Sequence, residues 1–490
     1  MKYQSTRNDR LTATSTEAVL QGLAPDGGLY IRRSFDGFDW KGVLTLDTLG
    51  MAEKILGFLL PDFENMGGLV RRAYEGKFET PELTPLVPVG ENFILELFRG
   101  PTSAFKDVAL SMLPQLITAA RRQEGVTQEI VILTATSGDT GKAALEGFRD
   151  VEGTRIAVFY PADGVSEVQK AQMVTQEGKN VCVCAVQGNF DDAQTGVKEI
   201  FAAGAPADAN VRLSSANSIN IGRLAPQVVY YFKAYADLVR AKRIAAGEPV
   251  DFVVPTGNFG DILAGYFAKK MGLPVGKLVC ASNRNDVLTD FLRTGVYDRR
   301  RPFYKTLSPS MDILVSSNLE RLLFLLAEGG APEVAGYMQE LKERGIYRVK
   351  DALLARLHGE FACGCCDDEE TERTIGRVWR EQGYLMDTHT AVAWSVAEQY
   401  RKTGESDAPL VVLSTASPYK FPTAVLRAIG GDTSGAEFDL MRRLHDLTGV
   451  PVPPALAALD GKPVLHRDCI AREELQNYVN RKVRQSAWNE

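Results

Sequence analysis

The chain predicts an α/β fold: two parallel-sheet αβα domains with an added N-terminal helical domain. Three observations carry this reading. Short apolar runs over 130–134, 156–160, 181–186, 252–254 and 278–281 alternate with amphipathic helical stretches, and strands apolar on both faces belong to parallel sheets covered by helices on both sides. Several runs end in Gly/Ser/Thr-rich corners that lead into a helix, where open parallel sheets bind their ligands. The length of 490 residues, with 45% hydrophobic and 24% charged residues, allows two or three domains with ample core.

Composition removes some classes. A net charge of −6 argues against a general nucleic-acid binder. No window of 18 or more apolar residues exists, so no membrane span is expected. The stretch behind Met1-Lys2-Tyr3 lacks the apolar segment of a signal peptide. Seven cysteines, mostly in apolar runs or one cluster, fit a reducing cytoplasm better than a disulfide framework.

In order, residues 1–90 read as a helical cap, with a helix opening at Thr16, a turn at Ala24-Pro25-Asp26-Gly27-Gly28, and an apolar helix over 51–60 before Pro61. The Pro-rich stretch 81–88 is an extended connector. The core follows over 91–430, with helices expected over 140–148, 168–176, 191–201, 224–244, 262–271, 318–327, 333–343, 368–380 and 390–400, and a last strand over 410–413. The extension 431–490 carries amphipathic stretches over 438–447 and 473–483.

The stretch 97–107 begins apolar, breaks at Gly100-Pro101, and offers Thr102 and Ser103 as helix caps. Beyond it Leu110, Met112, Leu113 and Leu116 give a helix its apolar face. Lys106 then falls in a first turn, a poor place for a cation because a helix N-terminus is partly positive. Either it turns into solvent or chemistry removes its charge. A Schiff base to an aldehyde cofactor does so, and an electropositive, dry site favours the neutral, reactive amine.

Three corners carry further chemistry. Thr134 to Gly141 sets hydroxyls and glycines between a strand and a helix, making either an anion pocket or a capped turn. Its Gly138-Asp139-Thr140-Gly141-Lys142 run lacks the four-residue gap of a nucleotide P-loop, so a small molecule's phosphate or carboxylate fits better. Pro255-Thr256-Gly257-Asn258-Phe259-Gly260-Asp261 brackets a bend with two glycines that let backbone amides approach a phosphate. In Ser414-Thr415-Ala416-Ser417-Pro418, the Thr415 hydroxyl can donate to a neutral ring nitrogen, or cap the next turn. Cys363-Gly364-Cys365-Cys366 has no second Cys or His pair at zinc spacing, so structural thiols and no metal are expected.

Together, Ser103-Ala104-Phe105-Lys106-Asp107, Ser137-Gly138-Asp139-Thr140-Gly141 and Gly257-Asn258-Phe259-Gly260-Asp261, followed by a late Thr415, resemble threonine synthases, pyridoxal-phosphate (PLP) enzymes of fold type II, the tryptophan-synthase-β-like group. Ala24 to Tyr30, Met311-Asp312-Ile313 and Ser316 to Arg321 are similar to the longer microbial members. The resemblance implies the cofactor pyridoxal 5′-phosphate, held by Lys106, by a phosphate loop of Gly257, Asn258, Phe259, Gly260 and Asp261, and by Thr415 facing the ring nitrogen. It places Thr136, Ser137, Asp139 and Thr140 in the loop that meets the substrate carboxylate and the cofactor ring, and Ser218 and Arg223 at the substrate phosphate. The implied reaction turns O-phospho-L-homoserine and water into L-threonine and phosphate in the cytoplasm, with a monomer or homodimer and no nucleic-acid or membrane partner. A serine/threonine dehydratase, or a synthase-like binder without turnover, are the alternatives. Thr388 stands where many members carry proline and Ser417 where some carry histidine, which bears on the substrate pocket and not on the reaction class.

Overall fold

Two parallel sheets organise the protein. The computed structural model describes residues 2–136, 138–162, 165–206, 209–485 and 488. The larger sheet runs, edge to edge, Phe361–Cys365, Val275–Ser282, Val250–Pro255, Leu410–Ser414, Asn92–Glu96 and Leu86–Val89. Its first five strands are parallel, and Leu86–Val89 pairs antiparallel with Asn92–Glu96. Pro88, which has no N–H for a ladder, sits on that edge strand. The second sheet is parallel throughout, in the order Asp468–Ile470, Val181–Val186, Thr154–Pro161, Glu129–Ala135 and Val211–Ser214.

This topology creates the site. Leu410–Ser414 lies between Val250–Pro255 and Asn92–Glu96, with Val412 opposite Val253 and Ser414 opposite Glu96. The carboxyl ends of three strands distant in sequence therefore open side by side, and their three following loops carry Lys106, Gly257 and Thr415.

The N-terminal residues are more than helices. Tyr3–Ser5 pairs with both Thr12–Ala13 and Tyr30–Ile31 in a small sheet, joined by helices Ser15–Gln21, Thr48–Leu59 and Met66–Tyr74. Tyr3, Leu20, Ile55 and Leu59 share one continuous core with Leu113 and Tyr231. Arg7 grips Glu320 through two bonds of 2.8 Å, and Arg321 Nε donates to the Tyr30 carbonyl at 2.9 Å. The 316–321 segment thus ties the N-terminal segment to the Gly257 loop.

Several elements differ from the sequence expectation. The helix expected over 224–244 begins at Ile221–Leu224, passes through a 3₁₀ turn at Ala225–Gln227, and runs on as Val228–Arg240. Pro226 lacks the N–H that a continuous helix needs there. The strands Val211–Ser214 and Phe361–Cys365 and the helix Asp351–Glu360 went unread. Phe361–Cys365, which holds two of the clustered cysteines, contains Gly and Ala, and is made a strand by pairing with Val275–Ser282. All seven cysteines are unpaired. Among the described residues, no helix is long and apolar enough to cross a membrane.

Candidate active site

The loop before Lys106 is stitched to the end of strand Leu410–Ser414. Leu97 N–H donates to the Ser414 carbonyl at 2.9 Å, Phe105 N–H to Thr415 at 2.8 Å, and Ser417 N–H to Ser103 at 3.1 Å. Ser103 takes a left-handed conformation, φ 58°. Thr102 and Ser103 do not cap the helix. The cap position is Phe105, without a side-chain bond, and Thr102 instead places its N–H 2.8 Å from Asp107 Oδ2 and its hydroxyl on Oδ1. Burial pushes the Asp107 carboxyl up to about 6 despite these donors.

Lys106 is the first residue of helix Lys106–Gln123, and it points inward, 8% exposed. Its Nζ lies 3.3 Å from Ser310 Oγ, 3.9 Å from Asp139 Oδ2 and 4.9 Å from the Phe105 ring centre. Burial lowers the amine to about 8; Lys420 and Arg223 push the same way and Asp139 opposes them. In the cofactor-free chain, Lys106 should therefore react with an amine-acylating reagent with a midpoint near pH 8. Quantitative peptide mapping across pH measures this, and a midpoint at the ordinary lysine value of about 10.4 would place the amine in water.

Asp139 opens helix Asp139–Phe148. That helix approaches Lys106–Gln123 closely, because a Cβ on Gly147 would fall on the Leu110 carbonyl oxygen. Asp139 Oδ1 accepts from Lys420 Nζ at 2.6 Å and from Gln169 Nε2 at 2.7 Å. Burial alone would raise this carboxyl, but Lys420 and Lys106 outweigh it and hold it well below the usual range. The Thr136 hydroxyl accepts from Gly138 and Gly141 N–H, both at 2.9 Å, so it braces the corner from within. Thr140 is half-buried in the first turn of the helix. Ser137 lies outside the described residues.

In the second corner, Phe259 adopts φ 60° and helix Gly260–Lys270 follows. The Gly257 carbonyl accepts from Ser316 Oγ at 2.7 Å, and the Asn258 carbonyl accepts from Asn318 N–H at 3.0 Å. Among the described residues, the amides of Gly257, Asn258, Phe259 and Gly260 have no acceptor. They form a row of free donors at a helix N-terminus, which suits a phosphate. A Cβ on Gly257 would stand 2.8 Å from the Ser310 carbonyl, whereas one on Gly260 meets nothing closer than 3.4 Å. Gly257→Val should push Ser310 away and weaken cofactor binding by about tenfold or more, about 1.4 kcal/mol, with Gly260→Ala much milder. Equilibrium dialysis checks this, and equal losses would move the cradle away from Gly257. Asp261 turns its carboxylate onto Tyr230 and Tyr231 at 2.5 and 3.0 Å, anchoring the loop to helix Val228–Arg240 rather than facing its amides. Burial pushes it up to about 6.

Thr415 is buried, and no described residue hydrogen-bonds its hydroxyl. Arg223 is 3% exposed, and its Nη1 donates to the Ala216 carbonyl at 2.5 Å. Its Nε has no partner, and no carboxylate of the described residues lies within ion-pair distance. Burial lowers it to about 10. Ser218, on the same approach, accepts from Asn318 Nδ2 through its carbonyl at 3.1 Å, with its Cβ 3.8 Å from where a Gly260 Cβ would stand.

Four neighbours were not read from the sequence: Ser310, Gln169, Lys420 and His389. Ser310 N–H donates to His389 Nε2 at 3.2 Å, and His389 Nδ1 faces Asp387 Oδ2 at 2.7 Å. With the Ser310 N–H directed at Nε2, that nitrogen is the acceptor and Nδ1 the donor toward Asp387. The Asp387-Thr388-His389 run at a helix start was the available signal.

A low-pKa lysine beside a donor cradle at a strand-helix corner and a hydroxyl at the end of the central strand define a PLP-dependent enzyme of the α/β type. Comparison with known proteins agrees. Residues 79–416 match the family described as pyridoxal-phosphate dependent enzyme, residues 2–59 threonine synthase N terminus, and residues 390–463 threonine synthase, C-terminal. The chain is 40% identical over 438 residues to threonine synthase of Pseudomonas aeruginosa, covering 87% of this chain and 90% of that one. It is 38% identical over 468 residues to threonine synthase-like 1 of Pongo abelii, covering 91% of this chain and 62% of the relative's length. The crystal structure of PLP-bound threonine synthase from Brucella melitensis superposes with a TM-score of 0.87 at 38% identity, covering 99% of this chain and 100% of that one. The chain belongs to the threonine synthase family of fold type II, and its cofactor is pyridoxal 5′-phosphate.

Proposed function

We propose that the protein converts O-phospho-L-homoserine and water to L-threonine and phosphate. The observation that carries this is Arg223, a buried guanidinium with a free Nε and no carboxylate partner among the described residues, near enough to Lys106 to act on its charge. Buried charges are ordinarily paired, so an unpaired one implies an anionic ligand, and a guanidinium fork matches two phosphate oxygens.

The residues present fit the cofactor. Lys106 would bind it covalently, the amides of Gly257 to Asp261 would take its phosphate, and the Thr415 hydroxyl its ring nitrogen. Once bound, PLP supplies an electron sink for charge developing on the amino-acid substrate. The chain supplies the rest. Lys106, released by the substrate amine and half-neutral at about pH 8, would take protons from the substrate Cα and Cβ and return them. The loop of Thr136, Ser137, Asp139 and Thr140 meets the substrate carboxylate, with Thr136 keeping the loop's shape and Thr140 and backbone amides as donors. Arg223 and Ser218 hold the phosphate as charge builds on it at the breaking Cγ–O bond.

A cytoplasmic setting fits the seven unpaired thiols. A dehydratase has no use for an unpaired buried arginine, which favours the synthase over it. The assay that separates them supplies O-phosphohomoserine and L-serine in parallel. Phosphate and threonine released together support the synthase. Keto-acid formation alone supports the dehydratase, and neither supports a binder without turnover.

A further inference from the structure

Two buried lysines share one carboxylate. Lys420 closes the 3₁₀ turn Pro418–Lys420, a few residues after Thr415, and is fully buried, with 0% exposure. Its Nζ donates to Asp139 Oδ1 at 2.6 Å and to the Thr102 carbonyl at 3.1 Å. Gln169 Nε2 reaches the same Oδ1 at 2.7 Å. Asp139 Oδ2 is left facing Lys106 Nζ at 3.9 Å, beyond hydrogen-bond length.

This arrangement has a chemical consequence. A lone carboxylate beside Lys106 would pair with it tightly and hold its proton. Here the carboxylate is already matched by Lys420, so Lys106 stands next to a nearly neutral pair in a dry pocket. When Lys106 is covalently engaged and no longer a full cation, Asp139 keeps a partner and need not take up a proton. We propose that Lys420 is a positioning residue for the chemistry at Lys106: by clamping Asp139 against the Thr102 loop, it keeps that carboxylate ionised and off the reactive amine, so that Lys106 gives up and regains its proton while the counter-charge stays paired. The proposal rests on the reading of Lys106 as the cofactor lysine. The charged and titratable groups that face Lys106 are Asp107 on its own helix, Asp139, Arg223, Asp261 and Lys420, and only Lys420 bonds to one of the others.

The test follows acylation of Lys106 against pH in full-length, cofactor-free protein, by peptide mass spectrometry. The wild-type midpoint is expected near pH 8. Lys420→Met removes a cation and frees Asp139 for Lys106, so its midpoint should rise by about one pH unit or more. Lys420→Arg keeps the charge and should return the midpoint to the wild-type value. In the holoenzyme the acid limb of the kcat profile should move in parallel, with KM nearly constant. An unchanged midpoint in folded Lys420→Met would overturn the proposal. Should that variant fail to fold, Lys420→Gln, which keeps a donor toward Asp139 and the Thr102 carbonyl but not the charge, gives the same comparison. A midpoint above the wild-type value in Lys420→Gln supports the role, and an unchanged midpoint refutes it. Borohydride reduction and peptide mapping of the wild-type holoenzyme tests the underlying reading separately, because cofactor on another lysine rejects that reading whatever the titrations show.

Discussion

Lys106→Ala is expected to yield a folded protein that binds PLP without a covalent link and makes threonine at least about 10³-fold more slowly. Two functions disappear with one amine: the anchor and the group that moves protons at the substrate. The fold should survive, because Asp139 keeps Lys420 and Gln169. The sign of the pH effect follows from burial. The folded-state value, about 8, lies below the ordinary 10.5. The charged lysine therefore costs stability below pH 8, and that cost fades as pH rises toward 10.5. Removing the amine should flatten this part of the stability-pH curve in chemical denaturation of the cofactor-free chain. A borohydride-reducible adduct on a different lysine of the mutant would contradict the assignment.

Arg223→Leu is expected to leave cofactor binding intact and to lower turnover of O-phosphohomoserine by about 10²–10³-fold. Serine deamination, which sheds no phosphate, should change little. Within the described protein the Arg223 side chain makes one bond, to the Ala216 carbonyl, and has no carboxylate to strand, so leucine leaves no lone buried charge. Its cost should therefore appear in the phosphorylated substrate's kinetics and not in the melting temperature. Equal loss of both activities would make Arg223 a support of the fold or cofactor. Arg321, also fully buried, cannot take its place, because its guanidinium already bonds to Tyr30, Asn318 and Ile219.

What was legible in the sequence follows from how local the cause is. Strands with continuous apolar runs were readable because burial on both faces marks each residue. Lys106, the Gly257 to Asp261 bend and Thr415 were readable because each lies within a strand-helix corner whose composition announces it. Ser310 was not, since it reaches Lys106 across 204 positions of chain and carries no pattern of its own. Lys420 reads as one lysine after a turn until the topology sets it on Asp139. Side-chain direction was equally hidden: Thr136 faces its own glycine amides, and Asp261 faces two tyrosines. The N-terminal sheet, built from strands of two or three residues, is too short for a two-residue period to stand out.

The measurement that bears most directly on the proposed reaction is turnover of O-phospho-L-homoserine in ¹⁸O-labelled water, with both products analysed by mass spectrometry. In the proposed reaction the substrate's Cγ–O bond breaks and water adds at Cβ. The expected products are threonine with one labelled oxygen in its side-chain hydroxyl and equimolar phosphate without label. Labelled phosphate with unlabelled homoserine would show cleavage at phosphorus instead, and would contradict the proposed reaction.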